Sequence, residues 1–157
     1  MSESIPSEFW QGVEQFNHQA FYDCHDTLEA LWMDAMQPDK TFYQGVLQIA
    51  VALYHLGNYN QRGALTLLGE GIRRLSGYQP EYGEIRVEPL VQDSHVLLQV
   101  IQHLNPDQIP QFAEQLFSQK EISLDALSVF GIERDGAIAL PRIERIAEPS
   151  ATSDSAD

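Results

Sequence analysis

The stretch Tyr43-Gln-Gly-Val-Leu-Gln-Ile-Ala-Val-Ala-Leu-Tyr-His-Leu56 contains no charged residue. It forms most of a segment, residues 41–56, that is apolar almost all round. A helix of that kind is the buried centre of a bundle, because the segment falls short of the ~20 residues a bilayer crossing needs. Its polar side chains between Tyr43 and Leu56, the Tyr54 hydroxyl apart, are Gln44, Gln48 and His55. At ~100° per residue, Gln44 lies about 40° and His55 about 20° to the same side of Gln48. Three polar groups therefore share one narrow stripe of an otherwise apolar helix. An unpaired polar group in a dry interior costs ~1–3 kcal/mol, so the stripe requires partners.

The preceding helix supplies them. It covers about Ala20 to Met36, with Phe21, Cys24, Leu28, Leu31, Trp32 and Ala35 on its apolar stripe and Asp23, Asp26 and Asp34 toward water. His25, Glu29 and Trp32 stand at i, i+4 and i+7, which puts them on one face bordering that stripe. Gln37-Pro38 ends the helix, and so short a connection makes the two helices antiparallel neighbours. His25 and Glu29 are then the expected partners of Gln48 and His55.

Outward from this pair, helical spacing predicts further helices over about Ser7–His18, Asn60–Ser76, from Pro89 to Leu104, and over Gln108–Phe117. Ser4 and Pro6, or Ser7, start the first. Gly63 and Ala64 suit close helix packing, and Gly69 and Gly71 disfavour helix unless tertiary contacts hold them. Residues 77–88, with Gly77, Pro80 and Gly83, read as a loop. Leu124 and Leu127 fit a short helix, and the Asp135-Gly136 pair between apolar residues of Ile132–Leu140 predicts a small hairpin. The expected fold is an all-α bundle of about six helices around residues 41–56, forming a single domain over 1–146 with a less regular C-terminal part. The composition of residues 147–157 predicts a disordered acidic tail.

With 157 residues the chain can bury a core without a disulfide or metal, and its single cysteine, Cys24, excludes an internal disulfide and a multi-cysteine metal site. The first residues show no basic region followed by an apolar run, so a soluble cytoplasmic chain without membrane insertion is expected. Nine Lys and Arg stand against 23 Asp and Glu, a formal charge of −14. Residues 1–39 hold eight acids and no Lys or Arg. Such a surface repels nucleic acid and anionic lipid. Arg73 and Arg74 fall in the last turn of a helix, where cations favour the carbonyl end.

Phe16-Asn17, Tyr22-x-x-His25-x-x-x-Glu29-x-x-Trp32, Tyr43-Gln44-Gly45-x-x-Gln48, His55, Gly57-Asn58 and Gly63-Ala64 together resemble the helical family DUF309, a domain of unknown function. The resemblance covers residues 9–76. It implies an all-helical bundle with the motif face inside, and it implies no activity. The later helices and the Asp135-Gly136 segment look like a lineage extension of cyanobacterial type. Cys24, beside His25, has no place in the family pattern, and a buried cysteine of this kind reads as a small hydrophobe.

Three readings of the polar constellation remain open at this level. The first is a structural hydrogen-bond network in which Glu29 accepts from His25 and Gln48 or His55 completes the set. The second is a small pocket of Tyr22, His25, Glu29, Trp32, Tyr43, Gln44, Gln48 and His55, taking a protein partner or a small polar ligand. The third is a metal-dependent hydrolase, with His25, Glu29 and His55 holding a transition metal such as zinc or iron and Gln48 orienting water. Neither His-Glu-x-x-His nor paired Glu-x-x-His occurs, since Glu29 is followed at the third place by Trp32. A binding or assembly module is the favoured reading, and an apolar helix face is compatible with a homo-oligomer.

Overall fold

Residues Asp39–Gly57 form the longest helix of the chain, and the rest of the fold is arranged around it. A computed structural model describes residues 5–146. The helices α1 (Ser7–Asn17), α2 (Phe21–Asp34), α3 (Asp39–Gly57) and α4 (Gln61–Leu75) follow one another through short turns. A two-residue-strand hairpin, β1 (Glu81–Tyr82) and β2 (Ile85–Arg86), leads into α5 (Val87–His103) and α6 (Ile109–Gln119). The chain then runs through β3 (Glu121–Ile122), the short α7 (Leu124–Val129) and β4 (Ile138–Ala139). The architecture is all-α. No helix of the described residues is long and apolar enough to cross a membrane. The Ser4 start signal and the 147–157 tail lie outside the described residues.

α3 is central because its apolar residues point in every direction. Val46, Ile49, Ala50, Leu53 and Leu56 are buried, and the helix packs on α2, α4 and α6. Its closest crossing is with α4. A Cβ at Gly71 would lie 2.7 Å from Ile49 Cδ1 and 3.0 Å from the Gly45 carbonyl oxygen, and one at Gly45 would meet Leu75 Cδ2 at 2.8 Å. Two glycines thus allow contact that any side chain would push apart. Gly69, on the same helix, has nothing within 4 Å of such a Cβ and needs no glycine for packing.

Several boundaries move from their sequence positions. α5 starts before Pro89, which a first helical turn tolerates because its missing N–H has no partner there. A seventh, short helix completes the set. The hairpin lies in the segment read as a loop. Gly83 and Glu84 both adopt positive φ (+59° and +64°), the pair of left-handed residues that a tight two-residue turn demands. The expected local hairpin over Ile132–Leu140 does not form. β4 instead pairs with β3, Ile138 opposite Ile122, because that register buries both isoleucines.

The C-terminal segment returns to the start of the chain. The Asn17 side chain donates to the Ile143 carbonyl (2.9 Å) and accepts from the Ile143 N–H (2.8 Å). Arg86 N–H donates to the Glu144 carbonyl and Ile146 N–H to the Glu84 carbonyl, both at 2.9 Å. The Arg145 guanidinium lies 3.9 Å from the centre of the Trp10 ring.

Candidate functional site

A groove runs along the seam of α2 and α3. At one end it is lined by His25, Glu29 and Trp32 from α2, Gln44, Leu47, Gln48 and Val51 from α3, and Leu67 from α4, enclosing about 230 Å³. The next lobe, about 110 Å³, lies among Phe21, Tyr22, His25, Val51, Tyr54 and His55. A third, about 360 Å³, opens between Tyr22, Tyr54, Leu53, Gly57 and Phe117. Neighbouring lobes share His25 and Val51, then Tyr22 and Tyr54, so the three lie in line along the seam. A larger depression, about 620 Å³, is elsewhere, between the end of α5 and residues 131–134, and its His103 ring nitrogen is taken by the Gln99 carbonyl at 2.8 Å.

The polar residues of the seam divide their bonds differently from the expected network. His25 Nδ1 is 3.2 Å from Asp26 Oδ1, and its Nε2 is 4.0 Å from Glu29 Oε2. His25 is 28% exposed and Glu29 46% exposed, so the pair faces an open groove and not a dry interior. Gln48, only 7% exposed, turns away from α2. Its amide donates to Glu70 Oε1 (3.1 Å) and its carbonyl accepts from Arg74 Nη1 (3.1 Å). Arg74 also pairs with Glu70 at 3.7 Å. The glycine crossing explains this choice: it brings α4 close enough for a short amide to reach its charged residues.

His55 is likewise claimed by α4. The Asn60 amide donates to His55 Nδ1 (3.3 Å), while Asn60 Oδ1 accepts from Gly63 N–H (3.0 Å) and caps α4. A Cβ at Gly63 would lie 2.9 Å from His55 Cγ, so the glycine makes room for the ring. His55 therefore lines the middle lobe but does not join His25 and Glu29 as a ligand set. Among the described residues, the side chains grouped closely enough for a metal are His25, Asp26 and Glu29, whose ligand atoms lie within 4.8 Å of one another.

Tyr22 is 58% exposed and rests against Tyr54 and His25, with ring centres 5.5 and 6.0 Å away. Trp32 is covered by Lys40, whose Nζ stands 5.0 Å from the ring centre and donates to the Trp32 carbonyl at 2.8 Å. Gln44 lines the groove with no side-chain hydrogen bond among the described residues. Tyr43 is not in the groove. It is buried against Phe9 and Phe42, and burial, then the Asp39 charge, push its hydroxyl up from the ordinary tyrosine value. Cys24 is buried too, and burial pushes its thiol up to about 12, which makes it an inert hydrophobe. Sequence reasoning missed Tyr54, Asp26 and the α4 pair Glu70 and Arg74. Tyr54 carried a signal, as the one residue of α3's apolar run whose polar tip reaches water.

Fold and groove define the chain as a helical bundle built on consecutive antiparallel helix pairs, with an open cleft along one seam. Residues 9–67 match the family model described as Domain of unknown function (DUF309). The matched segment contains most of α1, all of α2 and α3 and the first half of α4, and so nearly all of the groove. The uncharacterized protein YpuF of Bacillus subtilis (strain 168) is 37% identical over 91 residues, 57% of this chain and 49% of YpuF. The chain thus spans about half the length of this curated relative. No solved structure matches it.

Proposed function

We propose that the chain is a non-catalytic binding module that takes a segment of a protein partner, or a small polar ligand, in the groove between α2 and α3. The observation that carries this reading is the alignment of three lobes along one seam, with His25, Glu29 and Gln44 on their walls and free of the interior network. Clefts that are largely apolar and carry a few convergent polar groups are the usual form of a binding site. The acidity of the chain disfavours nucleic acid as the occupant. A pull-down with the full chain is expected to recover a stoichiometric partner that is lost on Tyr22→Ala or Glu29→Lys, two exposed positions whose substitution leaves the fold intact. A partner retained by both variants, or turnover of a substrate by the purified protein, refutes the reading.

A second reading has its own observation. His25, Asp26 and Glu29 offer three ligand atoms from one helix, and a transition metal there would serve a metal-dependent hydrolase. His55 and Gln48 have no part in this version, because Asn60, Glu70 and Arg74 hold them. Calorimetric titration with zinc or iron(II) is expected to show saturable binding abolished by His25→Ala. Absence of heat, or heat unchanged in the variant, ends it.

A further inference from the structure

The middle of the groove is made of rings. Tyr22, His25, Tyr54 and His55 surround about 110 Å³, and the two tyrosines keep 58% and 39% of their surface in water. Carboxylates flank this lobe on both sides: Asp23 lines the larger neighbour, Glu29 the other, and Asp26 stands against His25. Among the described residues, no Lys or Arg lines any of the three lobes. Lys40, at the far end of the seam, is already committed to Trp32. Aromatic faces attract cations through their electron-rich surface, and the three flanking carboxylates add a field of the same preference.

We infer that the ring-lined lobe receives the cationic head of an Arg or Lys side chain presented by a protein partner, an inference that rests on the groove being a binding site. Charge complementarity selects this occupant. A second copy meeting this one groove to groove would bring the same Asp23, Asp26 and Glu29 to the contact, opposing like charges, and its net −14 opposes close approach in any orientation. The planar guanidinium of Arg stacks on tyrosine better than an ammonium does, so Arg is the preferred head. An apolar neighbour on the same segment fits the larger lobe, against Phe21, Leu53 and Phe117.

The test uses the full chain and three small probes: the N-acetyl methylamides of arginine, of citrulline as its neutral isostere, and of glutamate. Nuclear magnetic resonance follows the ring signals of Tyr22 and Tyr54. Saturable shifts are expected with the arginine probe, with the citrulline probe at least roughly fivefold weaker and the glutamate probe silent. Tyr22→Leu and Tyr54→Leu, which keep apolar bulk and remove the ring, should each weaken binding about twofold to fivefold. Asp125→Asn, on α7, should change nothing. Equal binding of the citrulline probe overturns the cation inference and leaves the groove reading standing. Shifts scattered over the acidic surface and indifferent to the tyrosine variants overturn it as well, as does the absence of any shift in the groove. The pull-down above then judges the groove reading by itself.

Discussion

Gln48 and His25 show how two polar residues on facing helices come to carry different weight. Gln48 is buried, with both ends of its amide bonded to charged groups of α4. Hydrogen bonds to charged partners in such a place contribute ~1.5–3 kcal/mol. Gln48→Ala is expected to lower unfolding free energy by ~1–3 kcal/mol in urea denaturation. His25 meets Asp26 and Glu29 at the open edge, where ion pairs are worth little. His25→Ala should therefore cost under ~1 kcal/mol in the same assay. A large loss there would mean that the imidazole holds the helices together, as the network reading expected.

The scale of the element is governed by how closely α3 and α4 approach. Gly71 faces Ile49 and the Gly45 carbonyl, and a methyl group would meet backbone that cannot swing aside. Gly71→Ala is expected to destabilise the fold by ~1–3 kcal/mol despite its better helix propensity. Gly69, two residues earlier, has open space, so Gly69→Ala should stabilise by ~0.5–1 kcal/mol through propensity alone. Thermal melts of the two variants should move in opposite directions. The helices themselves were legible from spacing, because α3's uncharged run and the stripes of α1, α2 and α4 repeat with helical period. Both glycines read alike in the sequence, as costs to the helix. Which of them was needed for contact depended on the facing helix.

Across the whole molecule, the C-terminal segment joins the end of the chain to its beginning. Asn17, at the end of α1, closes a two-bond ring on the Ile143 backbone, over 126 residues of separation. Asn17→Ala removes both bonds, and amide exchange at Arg86 and Ile146 should then accelerate while α3 amides stay protected. Equal acceleration everywhere would mean global destabilisation instead. Asp93 on α5 is affected by the same return. Burial, and then the Glu144 charge, raise its carboxyl above the ordinary aspartate value. The folded state therefore keeps that proton to higher pH than the unfolded chain does, and stability falls as pH rises through the interval between the two. In Asp93→Asn that part of the pH dependence should vanish, as urea titrations above and below the usual aspartate range would show.

The candidate site was legible only in part. His25, Glu29, Trp32, Gln44 and Gln48 were found because helical geometry fixes which side chains share a face, and all five line one lobe. Their bonds were not legible, since a face does not say how far away its neighbour stands. The groove opens to water beside His25 and Glu29, and Gln48 and His55 turn to α4 where glycines let it approach. The strand pairing of residues 121–122 with 138–139 was hidden for a related reason: the Asp135-Gly136 turn signal is local, whereas burying Ile138 against Ile122 is not. Periodicity along the chain determined the helices, the central place of α3 and which side chains share a helix face, because these follow from backbone geometry and the need to bury apolar surface. Only the packed structure decided the openness of the seam and the partners of its polar groups, because both depend on distances between elements that no single stretch of chain encodes.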